Sequence, residues 1–183
     1  MSAAPALRAR EVRTYGPAVA VRDLEVSGAR AQYLEGLAVP YGVEQDVGWM
    51  LETMAPGVFS RSISEAARGL PLLLWHDSRT YPVGVSETWA EDADGLRGVW
   101  RLDGGDEAQR AAQLAQDGLL VGLSVGFVPI RSTWTYADVW DPDRGPDGMD
   151  RVTREEARLL EVSLTPTPAY AGAQVSLVRS AGG

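Results

Sequence analysis

Gly122-Leu123-Ser124-Val125-Gly126-Phe127-Val128-Pro129-Ile130 is the stretch on which the reading of the fold turns. Its first five residues spell G-x-S-x-G, the nucleophile elbow of α/β-hydrolases, where a strained turn between strand and helix lifts a serine into reach. Two features oppose that reading. Val125 to Ile130 runs on as a strand and no helix follows it. The sole histidine, His76, precedes the serine, whereas an α/β-hydrolase needs its histidine after it. The segment is therefore read as one long strand, Leu119 to Ile130, opened by glycines at 122 and 126.

Working outward, the chain reads as mainly β with one or two helices. Before this strand, Asp106 to Ala115 is rich in strong helix formers, with acidic residues in its first turn and Gly118 where a C-terminal cap belongs. Val83 to Glu91 and Gly95 to Leu102 form a hairpin across Asp92-Ala93-Asp94. Leu70 to His76 is an apolar run of strand length. Phe59, Ile63 and Ala67 fall at helical spacing and predict a short helix after Pro56-Gly57. Glu25 to Ser27 and Ala31 to Val39 read as a hairpin turning at Gly28. After the central strand, Trp134 to Trp140 and Arg151 to Leu164 read as strands around a turn at 141–150, and residues 173–178 as a last strand. No repeat and no second apolar cluster appears. The expected organisation is a flexible N-terminal arm over 1–22, a single domain over 23–179 and a tail at 180–183.

Composition removes several classes of function. The chain has 183 residues, 45% of them apolar and 23% charged, which is the balance of a globular domain. No apolar run is long enough for a membrane-spanning helix, and the alanine- and arginine-bearing start has no apolar core of a secretory signal. Cysteine is absent, which excludes disulfides, thiolate metal sites and cysteine nucleophiles. One histidine cannot build a histidine-based zinc site. The acidic stretch Asp138 to Asp150 leaves carboxylate-bound magnesium or calcium open, against a solvated turn built by Pro142, Gly145, Pro146 and Gly148. A net charge of −8 opposes nucleic-acid binding, which needs a basic footprint. All 17 basic residues are arginine, so a Ser–Lys dyad is excluded. The six tryptophans read as core or interface anchors.

Three positions carry candidate chemistry. A serine hydroxyl is inert at neutral pH unless a base removes its proton during attack, and imidazole is the best-matched base. Ser124 is then either a nucleophile kept uncrowded by its glycines or a small residue beside a strand bulge. His76 ends an apolar run at a turn and is the only imidazole available. Asp77 could orient it, although adjacent strand side chains point to opposite faces. Glu161 interrupts the apolar run Leu159-Leu160-Glu161-Val162-Ser163-Leu164, and a carboxylate there needs a partner: an arginine such as Arg131 or Arg158, or an imidazole.

Seven segments in order carry a resemblance over about Tyr33 to Val178. They are Glu35-Gly36-Leu37-Ala38-Val39-Pro40-Tyr41-Gly42; Glu52 through Pro56-Gly57-Val58-Phe59; Leu73-Leu74-Trp75-His76-Asp77; Pro82-Val83-Gly84; Asp94-Gly95-Leu96; Gly118 through Gly122-Leu123-Ser124-Val125-Gly126-Phe127; and Leu160-Glu161-Val162-Ser163-Leu164 with Pro168-Ala169-Tyr170. The chain resembles the prohead proteases of tailed phages, relatives of the herpesvirus capsid-maturation protease. The resemblance implies a mainly β domain with flanking helices, its sheet a closed or partly closed antiparallel barrel of the herpesvirus-protease kind. It implies a serine endopeptidase with His76 as base and Ser124 as nucleophile, needing no cofactor and no metal. The herpesvirus relatives use a second histidine as third member, which this chain lacks; Glu161 takes that place as first candidate and Asp77 as second. The implied substrates are capsid protein, its scaffolding segment and the enzyme itself, inside a prohead in the host cytoplasm, with self-association expected and no nucleic-acid or membrane partner. A non-enzymatic capsid-assembly module of the same fold and a serine esterase are the competing expectations.

Overall fold

The computed structural model describes residues 11–15, 20–26 and 29–166. They form β1 (Glu11–Tyr15), β2 (Ala20–Val26), β3 (Ala29–Pro40), β4 (Gln45–Asp46), β5 (Met50–Met54), α1 (Ser60–Glu65), β6 (Pro71–Leu74), β7 (Gly84–Glu91), β8 (Gly95–Leu102), α2 (Asp106–Gln116), β9 (Gly122–Thr135), a 3₁₀ turn (Pro142–Gly148) and β10 (Asp150–Thr165). The expected strand at 173–178 and the tail at 180–183 lie outside the described residues. Part of the expected N-terminal arm does not: β1 and the start of β2 are sheet strands.

The spine of the molecule is β10. One edge pairs antiparallel with β9 along its whole length, from Arg151 opposite Thr135 to Thr165 opposite Gly122. The other edge takes two short strands in succession, β5 at its start and β6 at its end. From β6 the sheet continues through β7, β8 and β3 to β2, and β1 flanks β9 at the other end. The fold is therefore mainly β with few helices, as the sequence predicts, but the sheet is mixed. Both β5 and β6 run parallel to β10, because the chain crosses over through α1, and later α2, instead of turning back by a hairpin. The sheet curls until β3 meets β9, while no hydrogen-bonded ladder joins its two ends among the described residues.

The alternation in β9 sets the core. Leu123, Val125 and Phe127 point inward with no exposed surface, against Val162 and Leu164 of β10, and Phe127 meets Phe59 edge to face at 5.7 Å. Helix α2 lies close on this core because its buried stripe is Ala108, Ala111, Ala112 and Ala115, side chains small enough for near approach. Gly118, at φ 73°, caps it by donating from its backbone to Ala115, and Leu119 donates to Leu114. That cap delivers the chain into β9. Leu119 and Leu120 are thus spent on the cap, and the strand starts at Gly122 and runs without a break through Trp134. The acidic stretch after it folds as the 3₁₀ turn, with Asp141 accepting from the backbone of Asp143. Among the described residues no three acidic or histidine side chains are arranged to hold a metal ion, and no helix is long and apolar enough to cross a membrane.

Candidate active site

With Leu123 and Val125 turned inward, Ser124 points from the opposite face of β9, and the register places it across from Ser163 of β10. Glu161 stands two residues before Ser163 and so shares its face, opposite Gly126. This alignment depends on a bulge: the pairing jumps from Leu159–Phe127 to Glu161–Gly126, leaving Leu160 as the extra residue. Without it Glu161 would face the other way. Bulges beside functional groups commonly re-aim a side chain in this manner, and Gly126 offers no side chain to compete for the space.

His76 reaches the same face from the end of β6. The backbone of Trp75 donates to Leu164 at 3.1 Å, extending the parallel ladder one step. The chain then reverses: Trp75 and His76 have φ of 51° and 59°, and Asp77 donates to the carbonyl of Leu74 at 3.0 Å. Two successive positive φ values inside an i to i+3 hydrogen bond are the signature of a type I′ turn, normally filled by Asn-Gly. The expected strand Leu70 to His76 therefore stops at Leu74, and His76 is presented by a strained turn.

The turn brings the imidazole between two groups. Nδ1 lies 2.7 Å from Glu161 Oε1 and Nε2 lies 2.5 Å from Ser124 Oγ. An ionised carboxylate only accepts, so Nδ1 carries the proton and donates to Glu161; Nε2 then accepts from the Ser124 hydroxyl. Ser163 completes the arrangement: its hydroxyl donates to Glu161 Oε2 at 2.9 Å and accepts from the backbone N–H of His76 at 3.0 Å. Ser124, Ser163 and Glu161 are all buried, which makes this satisfaction of the carboxylate necessary. The imidazole lines an open cleft of about 620 Å³ with Trp75, Asp77, Ser78 and Arg79. Ser124 itself has no exposed surface, so a peptide reaches Oγ only after neighbouring groups shift.

The structure thus brings Ser124, His76 and Glu161 together and leaves Asp77 out. The Asp77 carboxylate receives the Arg79 backbone at 3.0 Å and its guanidinium at 2.9 and 3.1 Å, and those bonds hold its pKa below the usual carboxylate range. The arginines considered for Glu161 are elsewhere. Arg131 pairs with Glu155 and Glu156, and Arg158 is exposed. Ser163 was not singled out by the sequence. Its one legible signal is the i, i+2 spacing from Glu161.

A hydroxyl, an imidazole and a carboxylate hydrogen-bonded in series form an arrangement able to withdraw the hydroxyl proton. The chain belongs to the caudovirus prohead serine protease family, which it matches over residues 18–182. It is similar to the prohead protease of Enterobacteria phage HK97, with 26% identity over 133 residues, or 72% of this chain and 55% of that protein. It therefore spans about half the length of that curated relative. The structure of the bacteriophage T4 capsid assembly protease, gp21, has a similar fold: TM-score 0.62 at 14% identity, covering 87% of this chain and 98% of that one.

Proposed function

We propose that this chain is the serine endopeptidase of phage capsid maturation, with Ser124 as nucleophile, His76 as general base and Glu161 as the group that fixes the imidazole. One observation carries the reading: the unbroken hydrogen-bond series from Ser124 through His76 to Glu161. Ser124 Oγ adds to the scissile carbonyl carbon as His76 Nε2 takes its proton. The C–N bond then breaks, and the amine leaves with that proton. Water attacks the acyl-enzyme, giving its proton to Nε2; the ester bond breaks and Oγ recovers a proton from the imidazolium. Glu161, already bonded to Nδ1, stabilises the imidazolium in both halves. The scaffolding segment of the capsid protein or a separate scaffold is the substrate, the enzyme cleaves itself as well, and the reaction takes place inside the prohead. The curled sheet is, on this reading, a partly closed barrel of the herpesvirus-protease kind.

A non-enzymatic assembly module has no need for the sole imidazole to sit 2.5 Å from the one glycine-flanked serine. Co-expression with the cognate capsid protein distinguishes the two. The wild type yields shortened capsid protein, Ser124→Ala leaves it full length, and Glu161→Gln slows cleavage by roughly 10⁴-fold, as loss of the tautomer-fixing carboxylate does in serine proteases. Cleavage by Ser124→Ala at the wild-type rate refutes the assignment.

A further inference from the structure

Trp75 occupies a position that its side chain does not suit. In the turn Leu74-Trp75-His76-Asp77 it has φ 51°, a region where a residue with a Cβ is disfavoured by about 1–2 kcal/mol. Glycine or asparagine would serve such a turn better. Burial does not account for the choice either, because 54% of the residue is exposed. A bulky ring held at a backbone cost, with half its surface in water, points to a role outside folding.

Its surroundings indicate that role. Trp75 lines the cleft together with His76, Asp77, Ser78 and Arg79. The charges in that cleft are spent on each other, since Arg79 grips Asp77 through two side-chain hydrogen bonds. Both nitrogens of the His76 ring are engaged as well. The large apolar side chain that the cleft offers an incoming peptide beside His76 is the half-exposed indole of Trp75.

We propose that Trp75 is a substrate-contacting residue that selects an apolar side chain next to the scissile bond, which packs on its ring. The inference rests on the peptidase reading of the preceding section. The turn's strain is then the cost of projecting the ring into the cleft instead of into the core.

The experiment compares wild type with Trp75→Gly, which suits the backbone, and Trp75→Phe, which keeps a ring. Each is measured by the rate at which diisopropyl fluorophosphate, which has no peptide side chains, labels Ser124. Each is also measured by kcat and KM on two peptides spanning a mapped capsid cleavage site, one natural and one with the apolar flanking residue replaced by alanine. Trp75→Gly is expected to take label within about 3-fold of wild type. On the natural peptide its KM rises about 10-fold or more, the order expected from losing some tens of Å² of apolar contact, and kcat falls less. The rise shrinks on the alanine peptide, and Trp75→Phe restores most of the natural KM. An unchanged KM with intact labelling overturns the inference while leaving the peptidase reading standing. So does a joint fall in labelling and kcat at constant KM, which would make the ring a prop for the His76 turn. A wild type that neither takes label nor cleaves overturns the peptidase reading, and this inference with it.

Discussion

A single buried hydroxyl, Ser163, ties the carboxylate of Glu161 to the backbone of His76. Replacing it by alanine removes one hydrogen bond from the buried carboxylate and one from the His76 N–H, at a cost of about 1–3 kcal/mol in stability. It also frees the strained turn and the carboxylate to drift. Small misplacements of reacting groups cost up to about 100-fold, so Ser163→Ala is expected to lower kcat about 10- to 100-fold with KM little changed. Steady-state kinetics on a folded variant, checked by its melting curve, test this; a wild-type kcat would show that Ser163 positions nothing. At this scale the sequence was informative where a residue type was scarce. One imidazole in the chain and one serine between glycines left little choice. Ser163 was hidden because serine is ordinary in a strand, and because its alignment with Ser124 depends on a bulge at Leu160 that no residue type announces. Trp75 was hidden for a related reason: Leu70 to His76 reads as one apolar run, and nothing in its composition signals positive φ.

The parallel strands β5 and β10 are joined by Glu52 and Arg154, whose side chains are almost wholly buried and meet at 2.6 Å. Arg154 also donates to Ser132 Oγ of β9 at 3.2 Å and stacks over the Trp134 ring. Breaking a buried pair from one side leaves a charge without compensation, whereas replacing both partners by apolar residues of similar volume does not. Glu52→Leu alone is expected to destabilise the chain by about 3–5 kcal/mol, and the double variant Glu52→Leu/Arg154→Met to recover most of that loss. Urea unfolding of both variants measures the difference, and equal losses in the two would refute the coupling. The same pair shows where element-level reading stopped. Hairpins were legible, since β7–β8 and β2–β3 are local and bounded by turn residues. Helix α2 was legible from its composition and cap. Short β5 was missed: five residues, Met50–Met54, show no alternation because four of them are buried, and a parallel partner 100 residues away leaves no local trace. The expected strand at Trp134 to Trp140 failed differently. Its first residues belong to β9, which curls past the predicted end at Ile130.

For the molecule as a whole, stability against pH follows from a few groups whose proton affinity changes on folding. Asp77 is depressed by the Arg79 guanidinium, Asp92 by the Arg97 side chain and then by the Asp94 backbone, and Glu155 by the Thr133 hydroxyl and then Arg131. With folded values below unfolded ones, the unfolded chain binds more protons in acid. Their contribution is present above the unfolded values, about 3.9 for Asp and 4.3 for Glu, and is lost as pH falls through the folded ones. At the other end, burial and then the hydrogen bond to Glu91 raise the Tyr41 phenol well above its ordinary value. The unfolded chain there gives up its proton first, so the contribution is whole below about pH 10 and declines as pH rises beyond it. Composition makes this alkaline limb readable. Every basic side chain is arginine and cysteine is absent, so no lysine or thiol titrates in that window, and guanidinium stays charged throughout it. Urea midpoints measured from pH 3 to pH 11 should therefore form a plateau falling at both ends. Tyr41→Phe should flatten the alkaline fall while leaving the acid one in place. An alkaline fall of full size in Tyr41→Phe would mean that the decline arises elsewhere, and that the Tyr41 phenol is not what couples this fold to high pH.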